Sequence, residues 1–335
     1  METEGQKKLN ILLICGGGGT EHDISLTSAL FFKETLSGIQ NVEVHYVEIC
    51  RDSVRRDENG NSVELRKDGL LVRGDEVIRL NFAIPCFHGT PGETGEIQCV
   101  FEMMGLPYLG CGPEASTLSF NKVSTKLWMS ALGIPNTPYI FVSSDEPEEI
   151  ERAQRFFNQH NDVFIKASNQ GSSVGSYHVT SSGELATRIK EALTLSPYAL
   201  IEKTMKGREV EMSVYEYEGE LMTSRPGEIV CPSGFYDYNE KYSESSSTKT
   251  LVEAPGLSED LIMQMKEAAR KLFKGLKYKH LARVDFFVSD NQFFINEPNT
   301  FPGHTKISLF PLMMKGNGHD YRSFLKYIIN SEARE

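Results

Sequence analysis

Arg283, Asp285, Glu297 and Asn299 are the residues whose types and spacing in this sequence best fit chemistry. They fall in HLARVDFFVSDNQFFINEPNTFPGHTKISL (280–309), where two apolar runs flank a short polar stretch. The pattern predicts strands over 284–288 and 292–296. Ser289, Asp290 and Asn291 supply turn chemistry, because Asp and Asn bond their own backbone and tolerate unusual dihedrals. With the turn centred on Asn291, Asp285 faces Glu297 and Arg283 faces Asn299. Period-two alternation then puts all four on one side of the hairpin. Two carboxylates and an amide oxygen form a hard, oxygen-rich set that suits Mg²⁺ rather than zinc. Arg283 beside them suits a phosphate or a developing oxyanion. The same four also read as a cross-strand salt bridge on a solvated sheet face. A one-residue slip in register would scatter them.

The chain leaves this hairpin through Asn299-Thr300-Phe301-Pro302-Gly303-His304-Thr305, and Ser308-Leu309-Phe310-Pro311 opens a new apolar segment. Backbone N–H groups at such a turn and helix start bind anions. A metal set, an arginine and an anion pocket in one unit point to phosphoryl transfer involving a carboxylate-bearing substrate. The segment resembles the C-terminal signature of D-alanine–D-alanine ligases, members of the ATP-grasp superfamily.

Elements must exist to position these groups. The 335 residues suffice for two or three domains. With 39% hydrophobic and 24% charged residues, the composition is that of an ordinary globular chain. A net charge of −11 argues against general binding to nucleic acid or an anionic membrane. The start, METEGQKKLN, lacks an apolar signal core, and no run approaches a transmembrane span. The six cysteines show no C-x-x-C spacing. Cys15, Cys50 and Cys86, which end or follow apolar runs, read as small buried groups in a reducing compartment, so a cytoplasmic location is expected.

Leu9 to Cys15 is a β-type run ending at Gly16-Gly17-Gly18-Gly19, with an amphipathic segment after it. Strand, glycine loop and helix open a doubly wound α/β domain. Strands are expected at 42–49, 77–87 and 106–109, a polar excursion at 51–76 and a helix over 97–104. Gly110-Cys111-Gly112-Pro113-Glu114-Ala115 reads as a tight turn into a helix over 115–132 rather than a dinucleotide fingerprint. Glu21-His22-Asp23-Ile24-Ser25-Leu26 is similar to the family's first motif, which implies that Glu21 anchors the first D-alanine's ammonium. Acids at a helix start also complement its dipole. His88-Gly89-Thr90-Pro91-Gly92-Glu93-Thr94-Gly95 matches a family loop beside the first substrate, with His88 as a candidate contact.

Lys122 lies on the helical pattern, and the resemblance assigns it to ATP phosphates. Val163-Phe164-Ile165-Lys166 runs into Ala167-Ser168-Asn169-Gln170-Gly171-Ser172-Ser173-Val174-Gly175, a small-residue loop between strands. Small side chains let backbone N–H groups approach phosphate oxygens. Lys166 fits a phosphate contact, and Gly171, Ser172 and Ser173 fit a mobile cover. The resemblance gives Ser172 a further part in a hydrogen-bond bridge with Glu21. It places Glu202, Lys203, Glu209, Phe235 and Phe287 around the nucleoside. Residues from 235 on, beginning Phe-Tyr-Asp-Tyr-Asn-Glu-Lys-Tyr (235–242), read as a compact loop of the kind that excludes water from a reactive intermediate. By resemblance Lys241 neutralises the γ-phosphate and Tyr242 joins the bridge. Relatives that use D-lactate typically replace that tyrosine.

The resemblance runs from about residue 9 to residue 332. It implies α/β and α+β architecture: an ATP-grasp fold with an N-terminal doubly wound parallel-sheet domain. The expected division is 1–115, 116–209 (central subdomain) and 210–335 (lid loop and metal site). The implied activity is ATP-dependent joining of two D-alanines through an acyl phosphate, for peptidoglycan precursor synthesis. The implied cofactors are ATP and two Mg²⁺ (or Mn²⁺), held by Asp285, Glu297 and Asn299. Arg283 and the Gly303 N–H face the oxyanion, while Ser308 and the Leu309 N–H take the second substrate's carboxylate. His304 either tunes that second subsite or plays no part. A homodimer is expected, with no nucleic-acid or membrane partner. The rivals are a ligase using D-serine or D-lactate and a non-catalytic nucleotide-binding relative.

Overall fold

The structure is a computed structural model and describes residues 8–231 and 248–334. Strand β1 (Leu9–Gly16) is buried from Ile11 onward. It pairs in parallel with β2 (Val42–Ile49) and with β7 (Phe82–Cys86), and β3 (Arg55–Arg56) extends the edge beyond β2. Ile11, Leu13 and Cys15 pack with Phe32 and Leu36 of α1 (His22–Ser37). Leu12 and Ile14 pack with Ile97 and Phe101 of α2 (Glu96–Met103) on the other face. Helices on both faces make the sheet doubly wound and explain its unbroken apolar central strand.

Two expected strands differ. The run 77–87 splits into β6 (Glu76–Arg79) and β7, because Asn81 intervenes. Its side chain accepts from the Asn10 N–H and donates to the Arg334 carbonyl, which turns the chain between two sheets. β6 closes a three-stranded meander with β4 (Glu64–Arg66) and β5 (Leu70–Arg73), which accounts for the polar excursion. Residues 106–109 make only an isolated parallel bridge, Tyr108 to Ala83.

The expected helix over 115–132 is two helices, α3 (Pro113–Phe120) and α4 (Lys122–Ala131). Asn121 breaks it with an extended ψ of 103° and caps α4 by accepting from the Ser124 N–H at 3.1 Å. Lys122 therefore starts a helix rather than lying mid-face. An antiparallel sheet of β8 (Tyr139–Val142), β9 (Val163–Ala167), β10 (Ser176–Val179) and β11 (Ala199–Lys203) follows, in the order β10-β9-β11-β8. Val163, Ile165 and Ala167 pack against α5 (Pro147–His160) and α6 (Leu185–Leu195). Alternation sends Phe164 and Lys166 to the opposite, open face.

The last sheet orders β15 (Lys249–Leu251), β14 (Gly227–Val230), β12 (Arg208–Tyr217), β16 (Leu281–Ser289) and β17 (Gln292–Asn299), with β13 (Glu220–Thr223) pairing to β12. Helix α7 (Glu259–Gly275) covers one face. Helices α8 (Leu309–Gly316) and α9 (Tyr321–Glu332) pack with β1 and α1 in one shared core. No helix among the described residues is long and apolar enough to cross a membrane.

The β16–β17 turn is shorter than expected. Asp290 and Asn291, at φ 50° and 58°, form a two-residue turn of the type that suits tight hairpins. Ser289 pairs with Gln292 and Phe286 with Ile295. A bulge then leaves Asn296 as the extra residue, so Asp285 pairs with Glu297 and Arg283 with Asn299. The pairing inferred at the chemical residues holds, but turn and bulge together produce it.

Candidate active site

The open faces of the last two sheets and the loops beyond β1 and β7 enclose a cleft of about 1040 Å³. At one end stands the β16–β17 hairpin. Arg283 Nε and Nη2 grip both oxygens of Asp285 at 2.7 and 2.8 Å, and Nε lies 3.3 Å from Glu211 Oε2. Asn299 Nδ2 donates to Asp285 Oδ2 at 2.9 Å. Although burial alone would lower it, the flanking Asp285 and Glu211 carboxylates hold the Arg283 pKa well above the usual value. Glu297 sits 3.4 Å from the Lys122 ammonium, which also donates to the Gln170 carbonyl at 2.7 Å.

Among the described residues no three His, Cys, Asp or Glu side chains converge into a self-sufficient metal cage. The cross-strand pair Asp285 and Glu297, with the Asn299 amide, fits a different arrangement. Mg²⁺ is ordinarily held by one or two carboxylates and completed by water and phosphate oxygens.

The other end of the cleft is built on β9 and β11. Lys166 Nζ lies 2.8 Å from Glu202 Oε2 and donates to Asn296 Oδ1 at 3.3 Å. Lys126 Nζ lies 2.7 Å from the second oxygen, Glu202 Oε1, and 2.5 Å from Thr137 Oγ1. Thr137 also donates to Glu202. Burial opposes the charge on Glu202, but the two ammonium groups overcome it and hold the carboxyl well below its ordinary range. Burial alone would lower Lys166, yet Glu202 and Glu297 raise it; burial prevails for Lys126 and lowers it. Glu202, placed beside the nucleoside by the resemblance, lines the cleft next to Lys203, and its carboxylate also bridges these two lysines. Lys203, Glu209 and Phe287 line the same part of the cleft, with Glu209 and Phe287 paired in register across β12 and β16.

The third wall joins loops far apart in sequence. Glu21, at the N-cap of α1, makes no capping bond with its side chain. Its Oε1 instead accepts from Ser172 Oγ at 2.6 Å. Ser172 and Ser173 hold left-handed backbone conformations, φ 47° and 62°, in the loop between β9 and β10. Gly89 (φ 63°) and Gly171 leave room for Glu21: a Cβ on either would meet its Oε2 at 2.7 and 3.2 Å. The Gly89 N–H donates to Glu93 Oε2 at 2.9 Å, and burial together with the Glu21 carboxylate pushes Glu93 up to about 8. His88 bonds Ser28 Oγ at 2.8 Å; burial, aided by Arg283, lowers its pKa to about 4, so it is neutral at pH 7.

Beyond the hairpin, Ser308 Oγ accepts from the Thr305 N–H at 3.0 Å, and a Cβ on Gly303 would meet that oxygen at 3.0 Å. Gly303, Ser308 and Leu309 all line the cleft, with Ser308 as the N-cap of α8. His304 is fully buried among Phe32, Phe301 and Phe310, with Tyr321 OH 3.2 Å from Nδ1. Its side chain packs beneath the loop and does not line the cleft.

Comparison with known proteins adds a separate line. Residues 10–111 match the family model described as D-ala D-ala ligase N-terminus, and residues 128–330 match D-ala D-ala ligase C-terminus. The chain is 47% identical to the D-alanine–D-alanine ligase of Shewanella pealeana, covering 94% of this chain and 96% of that protein. This chain belongs to the D-alanine–D-alanine ligase family. The structure of D-alanyl-alanine synthetase A from Vibrio cholerae superposes with a TM-score of 0.92 at 43% identity, covering 98% and 99% of the two chains. That of VanG D-Ala:D-Ser ligase from Enterococcus faecalis gives 0.84 at 28% identity, covering 97% and 99%. The fold is therefore the ATP-grasp fold of this family.

Against the family's motifs, the structure gathers Glu21, His88, Lys122, Lys166, Gly171, Ser172, Ser173, Glu202, Lys203, Glu209, Arg283, Asp285, Phe287, Glu297, Asn299, Gly303, Ser308 and Leu309 around one cleft. Phe235, Lys241 and Tyr242 lie outside the described residues. Sequence reasoning passed over Glu93, Lys126, Glu211 and Asn296. Glu93 stood inside a quoted motif, and its acid type was the available signal. Lys126 and Glu211 carried none, because their importance comes from a partner on another element. Asn296 follows from the bulge.

Proposed function

We propose that this protein joins two D-alanine molecules at the expense of ATP. A carboxylate oxygen of the first D-alanine attacks the γ-phosphorus as the bond to ADP breaks, giving an acyl phosphate. The amine of the second attacks the acyl carbon and loses a proton; phosphate departs from the tetrahedral intermediate. The observation that carries this reading is the meeting of Lys122, Lys166 and Arg283 with the Asp285–Glu297 pair in one cleft of a family member.

Glu21, freed from capping, holds the first ammonium, and Ser172 orients it. Lys122 and Lys166 take the phosphates, while Ser173 belongs to their backbone cover and Lys203, Glu209 and Phe287 to the nucleoside end. Arg283 and the Gly303 N–H face the developing oxyanion. Ser308 and the Leu309 N–H receive the second carboxylate at a helix start. His88 stays neutral and fixes the loop beside the first substrate. Asp285, Glu297 and Asn299 would hold Mg²⁺, which when bound would supply charge neutralisation at the phosphates. Lys241 and Tyr242 complete the family's motif set.

The division at 1–115, 116–209 and 210–335, a cytoplasmic location, a role in peptidoglycan precursor synthesis and a homodimer complete the reading. Incubation with ATP, Mg²⁺ and D-alanine should give the dipeptide by mass spectrometry with one ADP each. ADP release without dipeptide refutes D-alanine as acceptor, and D-serine and D-lactate then compete for that role. Absence of both products refutes the ligase reading.

A further inference from the structure

Lys126 is 2% exposed, an unusual position for a lysine, and no step above uses it. Its partner Glu202 is 3% exposed. One oxygen of that carboxylate meets Lys126 at 2.7 Å and the other meets Lys166 at 2.8 Å. The two ammonium groups differ in what else they reach. Lys166 lines the cleft, whereas Lys126 ends on Thr137.

A lone Glu202–Lys166 pair would be neutral, so a nucleotide phosphate would compete with a buried carboxylate for the same ammonium. A second cation on the far oxygen leaves the three-group cluster with a net positive charge. It also pins the carboxylate from behind, which fixes the direction of the Lys166 ammonium. Buried ion clusters of this kind act strongly because little solvent screens them. We infer that Lys126 is a positioning residue for nucleotide binding: by sharing Glu202 with Lys166, it offsets the carboxylate's hold on Lys166 and keeps that ammonium aimed at the phosphates. The inference rests on the reading that Lys166 meets the nucleotide phosphates. A buried pair kept for packing alone would affect stability and leave the KM for ATP alone.

The test is steady-state kinetics on the full chain with K126M, K126M/E202Q and K166M, each with its melting temperature. K126M should raise the KM for ATP by about tenfold or more, as expected for loss of a charge-assisted contact, and shift the KM for D-alanine less than about threefold. The double variant, which restores the net charge beside Lys166 but loses the carboxylate that aims it, should recover only part of the rise in KM for ATP seen in K126M. An unchanged KM for ATP in a folded K126M, or a double variant as impaired as the single, overturns the inference. Should K126M not fold, K126Q decides by the same readout: a KM for ATP raised about tenfold supports the inference and an unchanged KM overturns it. K166M separates the two levels. A raised KM there with none in K126M overturns the positioning role alone, while an unchanged KM in K166M overturns the phosphate reading beneath it and the inference with it.

Discussion

The two ends of the cleft treat charge in opposite ways. On the β16–β17 hairpin, Asp285 and Glu297 are only partly buried and lie where solvent and ligands reach them. On β9 and β11, the Glu202 carboxylate is almost fully buried and its two oxygens are shared by two ammonium groups. Partly exposed acids keep lone pairs available, so the hairpin end can take up cations. A buried acid outnumbered by lysines leaves positive charge, so the other end suits anions. The difference follows from position in a sheet. The hairpin's polar face opens on the cleft, while Glu202 is roofed by α4, which begins at the Asn121 break.

The largest expected effect falls on the hairpin. Glu297→Gln should lower kcat by on the order of 10³ or more, since several kcal/mol of charge stabilisation would go with the metal. The variant should unfold at the wild-type temperature; full activity with unchanged Mg²⁺ dependence would remove the metal assignment. Arg283→Met should cost on the order of 10²–10³ in kcat, the usual loss for one oxyanion donor. A change confined to KM for ATP would move Arg283 from the oxyanion to the nucleotide.

The buried end should respond in stability. Thr137→Val removes the hydroxyl that bonds both Lys126 and Glu202. It should destabilise the protein by about 1–3 kcal/mol in urea unfolding, the range for a buried polar group left unpaired. A kcat shift beyond threefold without lost stability would erase the contrast between the two ends.

The smallest effect belongs to Glu93, a half-buried acid without an ammonium partner in the contacts described. Its pKa is raised by burial and by Glu21 to about 8 from an ordinary 4.5. Folding therefore takes up a proton between those values, and the stability this group contributes is lost as pH rises toward 8. Glu93→Gln should flatten the fall in melting temperature between pH 6 and pH 8.5. An unchanged slope would mean that Glu93 is ionised in the folded state throughout.

The legible parts of this protein were those set by local pattern. The apolar β1 run, the glycine loop and amphipathic α1 announced a doubly wound opening, because a strand covered on both faces must be apolar throughout. Alternation along β16 and β17 assigns Arg283, Asp285, Glu297 and Asn299 to one face, as found. The helix over 115–132 was misjudged because apolar spacing continues through Asn121, and only the cap geometry shows the break. The two lysine partners of Glu202 were not legible, because a strand position indicates a face and not a partner.

The sequence by itself determined the element order, the alternating faces and the residue types able to meet phosphate, metal and carboxylate. Those properties depend on backbone periodicity and side-chain chemistry, which are local. Tertiary structure alone decided that Glu21 meets Ser172 across 151 positions, that Lys126 and Lys166 share one carboxylate, and that His304 packs away from the cleft. Those outcomes depend on which elements stack and which loops converge. A buried charge acquires its role from the partner that packing delivers.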